Sequence, residues 1–214
     1  MERRSFEFRA DEIAPDGSTF SGWASAFNTI DRRGTIMGVT AFDRTLDDFL
    51  ARGFVAGLNH DWSCPIGAPV EARTDPSMGL WVKGELVPTE AGKQSQILLA
   101  HKLTSGRPVI QSLSIGFVVL SSRRCQAADP IRAYWDSVGY TPSDADLEAL
   151  AIGVASGWGI TILDAVKLYE VSPVTVPANA LATIVEARTG DIDPIRRRQE
   201  IDLSLRLRLA LASL

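Results

Sequence analysis

The sequence is poor in the residues that most often announce a mechanism. Its 214 residues hold two histidines, His60 and His101, and two cysteines, Cys64 and Cys125. Two cysteines are too few for the disulfide framework of a small secreted domain, so a reducing compartment is expected. Two Cys and two His at these spacings match no zinc pattern, and no metal or other cofactor is expected. Basic residues do not predominate: 22 Lys and Arg face 26 Asp and Glu, for a net charge of −4. That balance is unlike a nucleic-acid-binding footprint, and no nucleic-acid partner is expected. No stretch approaches the ~20 apolar residues that cross a bilayer. MERRSFEFRADEI carries arginines with no apolar run behind them, unlike a signal peptide. These features predict a protein without a membrane partner, cytoplasmic in the cell that makes it. A G-x-S-x-G elbow, a P-loop and a dinucleotide fingerprint are missing too; Gly92-Lys93 runs into Gln94, not Ser or Thr. An α/β-hydrolase and a nucleotide-binding enzyme are thereby disfavoured.

What is present reads as a globular, mostly β protein. Hydrophobic residues make up 45% and charged residues 22%, ordinary for a packed domain. Segments 5–9 and 18–27 alternate apolar and polar around the Pro15-Asp16-Gly17 turn, which predicts a hairpin. Thr40 is placed to cap a helix over about 41–51, with Phe42, Leu46, Phe49 and Leu50 on one face. Segments 54–60, 65–73, 80–87, 108–120 and 160–176 read as strands, and 90–104 as a helix. Residues 121–160 are more polar and read as a helical insertion, with a helix starting near Pro142-Ser143. The tail 203–214 alternates with period 2 but is built of Leu, Arg, Ala and Ser, and helix is favoured. The pattern predicts a mainly β fold with flanking helices: an antiparallel barrel, closed or nearly closed.

Few residues are equipped for chemistry. His60 lies where an apolar strand meets the polar turn Asn59-His60-Asp61, and imidazole suits a general base near neutral pH. A hydrogen-bonded structural histidine explains the same placement. Ser114 lies in Gln111-Ser112-Leu113-Ser114-Ile115-Gly116-Phe117, where strand alternation puts Ser112 and Ser114 on one face. Serine is a weak nucleophile until a base takes its proton, so it needs a partner such as His60. A strand serine on a wet face is the bland alternative. Glu170, on the late strand, can orient an imidazole, and Asp61 and Asp164 compete for that role. A solvated strand carboxylate is the other reading of Glu170. Cys64, four residues from His60, is the remaining nucleophile candidate, although a small buried cysteine explains it as well.

The order of these segments resembles the prohead proteases of tailed bacteriophages, a family related in fold to the herpesvirus assemblins. The matching pieces run from Phe20-Ser21-Gly22-Trp23 through Ala41-Phe42, Asn59-His60-Asp61, Pro65-Ile66-Gly67 and Gly79-Leu80-Trp81-Val82. They continue with Leu113-Ser114-Ile115-Gly116-Phe117 and Glu170-Val171-Ser172-Pro173-Val174-Thr175-Val176-Pro177-Ala178-Asn179. The resemblance implies a protease domain over 1–190, followed over 191–214 by the tail that its residue types favour as helix. It implies a serine endopeptidase with His60 as base and Ser114 as nucleophile, Ser112 being the reserve. Assemblins use a second histidine as third member; His101 falls on the predicted helix before the serine, so Glu170 is favoured. Arg123 or Arg124 is the candidate oxyanion donor. The implied substrates are the scaffolding segment of the phage major capsid protein and the protease itself, cleaved inside the assembling procapsid in the host cytoplasm. Homo-oligomerisation is a further implication. The alternative is a catalytically inactive capsid assembly or scaffolding factor on the same fold.

Overall fold

A computed structural model of the chain describes residues 18–188. The first half of the expected N-terminal hairpin and the expected tail helix lie outside the described residues. Eight strands and four helices are described. Strand β1 (Ser18–Ala26) alternates buried and half-buried residues and pairs with β5 (Gly79–Leu86) on one side and β8 (Thr183–Arg188) on the other. Strand β4 (Asp61–Asp75) pairs with β5, and β3 (Phe54–Gly57) pairs with β4. The long strand β7 (Ile160–Val174) is antiparallel to β6 (Ser112–Cys125) along its length. It is also parallel to β2 (Thr35–Met37) and to β3.

Two features correct the expected barrel. The sheet is mixed, because β2 and β3 run parallel to β7. It is also not closed: among the described residues β6 forms a ladder with β7 alone. Its other edge meets β8 through the single bond from the Ile184 N–H to the Gln111 carbonyl, 2.8 Å. The physical reason lies in β6 itself. Beyond Phe117 the strand leaves the core, with Val118, Val119 and Leu120 exposed, so a six-residue β8 has only its start to meet.

The main core fills the concave side of the sheet with Phe20, Phe42, Phe49, Val55, Ile66 and Leu113, among others. Helix α1 (Leu46–Arg52) is shorter than the segment expected from Thr40. The Thr45 hydroxyl donates to the Val166 carbonyl, 2.8 Å, and so fastens the start of α1 to β7. Helix α2 (Glu90–Ala100) begins at Thr89, whose hydroxyl accepts from the Gly92 N–H. The 121–160 insertion is part strand, because β6 continues to Cys125. Its remainder is α3 (Ala128–Ser137) and α4 (Asp144–Ala155), which cover a second cluster of Ile36, Ile131, Trp135, Leu150, Ile160 and Ile162.

Ser143 and Asp146 form a capping box at the start of α4. Asp146 does more than cap. Its carboxylate also accepts from the Tyr140 hydroxyl at 2.8 Å, the Thr29 hydroxyl at 2.7 Å and the Ile30 N–H at 2.9 Å. Tyr134 donates to Asn28 Oδ1 and the Trp135 indole to the Asn28 carbonyl. The helical insertion therefore grips the loop between β1 and β2. Burial raises the Asp146 pKa, but the bonds from Ser143, Ile30 and Thr29 outweigh it and hold the group below its ordinary value. A depressed carboxylate contributes stability above its unfolded pKa of about 3.9 and loses it as pH falls through the folded value. Asp146→Asn is thus expected to lower stability at pH 7 by ~2 kcal/mol. The gap between the two proteins in urea unfolding should narrow below about pH 4. A gap that stays constant down to pH 2.5 contradicts this account.

Candidate active site

The site is built on the β6–β7 ribbon. Cross-strand register places Ser114 opposite Ser172 and Gly116 opposite Glu170. Paired residues share a face, with Cβ atoms ~4.5–5.5 Å apart. A register shift falls between Gly116 and Phe117, which leaves Tyr169 unpaired on β7. Such a bulge re-aims neighbouring side chains and is common beside active sites.

Glycine at 116 is required by the carboxylate across from it. A Cβ there would collide with Glu170 Oε1 and stand 2.9 Å from its Cγ. With no side chain in the way, the Glu170 carboxylate lies over β6, fully buried. A buried carboxylate needs partners. Its Oε1 accepts from His60 Nδ1 at 2.7 Å, and its Oε2 accepts a short hydrogen bond from the Ser172 hydroxyl. Ser172 Oγ is also 3.2 Å from His60 Nδ1.

His60 arrives from the β3–β4 hairpin. Strand β3 ends at Gly57, three residues earlier than the alternation suggests, and 58–60 form the loop. Asn59 and His60 both have positive φ, 59° and 65°. Asn and His enter that region more readily than most residues, but two in succession need support. Asn59 supplies it. Its N–H donates to the Pro173 carbonyl, 2.9 Å, and its Oδ1 accepts from the Thr175 N–H and hydroxyl at 2.9 and 3.1 Å. The loop is thereby tied to the chain just after Ser172, and the imidazole is delivered onto Glu170.

The carboxylate assigns the His60 proton to Nδ1, leaving Nε2 as an acceptor. Ser114 and His60 line one cleft of about 520 Å³, together with Glu170, Gly116 and Trp62. Ser114 is nearly buried, at 8% exposure, and its hydroxyl has no hydrogen bond to His60 among the described residues. Ser172, the cross-strand partner of Ser114, touches the imidazole and stands beside both groups. A hydroxyl, an imidazole with a free Nε2 and a buried carboxylate on Nδ1 are the groups required for acyl transfer.

The other candidates lie elsewhere. Ser112 pairs with Val174 and is outside the cleft. The Asp61 carboxylate accepts from the Ser63 N–H and hydroxyl in its own turn. Asp164 binds Arg123 through both oxygens, at 2.9–3.2 Å. Arg124 binds the Trp158 carbonyl. Both arginines lie nine or more residues beyond Ser114 on β6, and neither lines the cleft. Cys64 is half-buried, packs against the core and does not line the cleft. His101 caps the end of α2 and is exposed. Among the described residues no group of three His, Cys, Asp or Glu side chains could hold a metal ion, and no helix is long and apolar enough to cross a membrane.

Sequence reasoning passed over Ser172, the anchoring role of Asn59, and Arg33 on the cleft rim. Asn59 carried a signal, since Asn next to a functional residue in a turn is the residue best able to adopt positive φ. Ser172 carried the same period-2 spacing from Glu170 that links Ser112 to Ser114.

The sequence matches a family model described as caudovirus prohead serine protease over residues 4–197. No curated protein matches it. Among solved structures, a crystal structure of KSHV protease in complex with a hexapeptide phosphonate inhibitor is similar at 10% identity and a TM-score of 0.39. That alignment covers 79% of this chain and 64% of the other, a likeness too slight to carry a conclusion. The family match spans most of the 214 residues, and the chain belongs to the caudovirus prohead serine protease family.

Proposed function

We propose that the protein is a serine endopeptidase that cleaves the scaffolding segment of a phage major capsid protein, and itself, during procapsid maturation. Family membership supports the reading, and so does one observation: the 2.7 Å bond from His60 Nδ1 to a fully buried Glu170 in the cleft that holds Ser114. A histidine fixed in that tautomer satisfies the buried carboxylate through Nδ1 and keeps Nε2 for chemistry at the cleft.

In the proposed reaction a peptide carbonyl enters the cleft beside Ser114. His60 Nε2 takes the hydroxyl proton as Oγ attacks, and Glu170 stabilises the imidazolium through Nδ1. The imidazolium returns the proton to the leaving amine. A water molecule, activated the same way, then hydrolyses the acyl-enzyme. Ser172 holds the second oxygen of Glu170 and so acts as a positioning residue. The reaction would take place inside the assembling procapsid in the host cell, where a homo-oligomer is compatible with the exposed edge of β6.

A peptidyl phosphonate tests this reading directly. Mass spectrometry should find one adduct, on Ser114, and His60→Ala should abolish it. In cells co-expressing the major capsid protein, the wild-type chain should shorten that protein. A chain that takes no label and leaves the capsid protein full length would instead be an inactive assembly factor.

A further inference from the structure

The rim of the cleft carries a cation that the proposed mechanism does not use. Arg33 lines the cleft on the loop between β1 and β2, and Met37, Phe117 and Leu163 line it too. Its side chain is exposed, and among the described residues it makes no hydrogen bond, ion pair or contact with an aromatic ring. The two carboxylates of the cleft are both occupied. Glu170 holds His60 and Ser172. Asp31 is turned back into its own loop, where it accepts from the N–H groups of Arg33 and Thr35 and from the Thr35 hydroxyl at 2.7–2.9 Å. The neighbouring arginine is different again: Arg32 binds the Pro177 carbonyl and points away from this role.

The loop is held in place. Asp31 fixes the backbone of Arg33, and Gly34 at a φ of 72° makes the turn. Asn28, Thr29 and Ile30 are gripped by Tyr134, Trp135 and Asp146 of the insertion. A long cationic side chain is thus presented from a fixed stem at the cleft that Ser114 and His60 also line. A guanidinium is built to take a carboxylate through two parallel N–H bonds.

We infer that Arg33 is a specificity-determining residue that recognises an Asp or Glu side chain of the substrate near the scissile bond. The inference rests on the protease reading and deepens it. The helical insertion then has a task in substrate choice, because it holds the loop that carries Arg33.

The test uses the full chain, a library of peptides from a digested proteome, and mass spectrometry of the cut sites. Wild-type cut sites should be enriched in Asp and Glu at one fixed position. For matched peptides with Glu or Gln there, kcat/KM should favour Glu by about 10- to 100-fold. In Arg33→Ala that ratio should fall to about one, and Arg33→Glu should shift the enrichment to Lys and Arg. Peptides ending in a free acid or an amide should be cut equally, which separates a side-chain carboxylate from a terminal one. Three results overturn the inference alone: active wild type with no acidic preference, equal losses on Glu and Gln peptides in Arg33→Ala, or dependence on the terminal acid. If the wild type cuts nothing and Ser114 takes no phosphonate label, the protease reading has failed and the inference falls with it.

Discussion

Ser114→Ala is expected to lose peptide cleavage by roughly 10⁴- to 10⁶-fold in kcat/KM, with the fold intact. That loss corresponds to about 5–8 kcal/mol of transition-state stabilisation. Stability should barely change, because the Ser114 hydroxyl has no hydrogen-bond partner among the described residues. Removing it leaves no buried group unpaired. Two neighbouring serines make the result specific. Ser112→Ala should retain activity, since Ser112 lies outside the cleft against Val174. Ser172→Ala should behave in the opposite way to Ser114→Ala in the folding assay. Its hydroxyl is fully buried and donates to Glu170, so its loss should lower stability by ~1–2 kcal/mol. Stopped cleavage in Ser112→Ala with activity retained in Ser114→Ala would move the nucleophile.

Alternation and spacing revealed only part of this site. Period-2 alternation was sufficient to put Ser112 and Ser114 on one face, because that property is local to a strand. Choosing between them required the register with β7, a pairing across more than 50 residues of intervening chain. Register here is set by the bulge at Tyr169 and by the buried pairs around it, and no local pattern encodes it. The expected end of the strand at His60 was three residues late for a similar reason. Phe54 to Gly57 are apolar because β3 is buried between β4 and β7. The chain then breaks at Leu58 through two left-handed residues, of which only Asn59 is a recognisable turn residue. The parallel pairing of β3 with β7 was illegible as well, since a strand covered on both faces loses its alternation. The α4 helix was easier to see, because Pro142-Ser143 announces its start locally; the capping box that Asp146 completes was found only in the structure. The exposed end of β6 misled in the other direction. Ser121, Ser122, Arg123 and Arg124 are polar and exposed on both faces of the strand, so they read as insertion although they continue β6.

The dependence of the site on register makes Gly116→Ala the most informative single change. The mutation adds one methyl group outside the catalytic groups, yet it should cost about 10²- to 10⁴-fold in activity. The added Cβ occupies the space of Glu170 Oε1, the oxygen that holds His60 Nδ1. The carboxylate must move, and it is fully buried with both oxygens engaged. It therefore has no second position that keeps the imidazole oriented. Stability should fall by only ~1–3 kcal/mol, the usual cost of overpacking. Glu170→Gln approaches the same contact from the other partner. It keeps the shape, removes the charge, and should lose a similar factor because the imidazolium is no longer stabilised and the favoured tautomer is lost. If both act through one contact, the double variant should be little worse than either single one. Losses that multiply would mean that Gly116 serves the substrate directly, as a point of close backbone approach. Gly116→Ala within about threefold of wild type would mean that the Glu170–His60 contact does not limit the reaction.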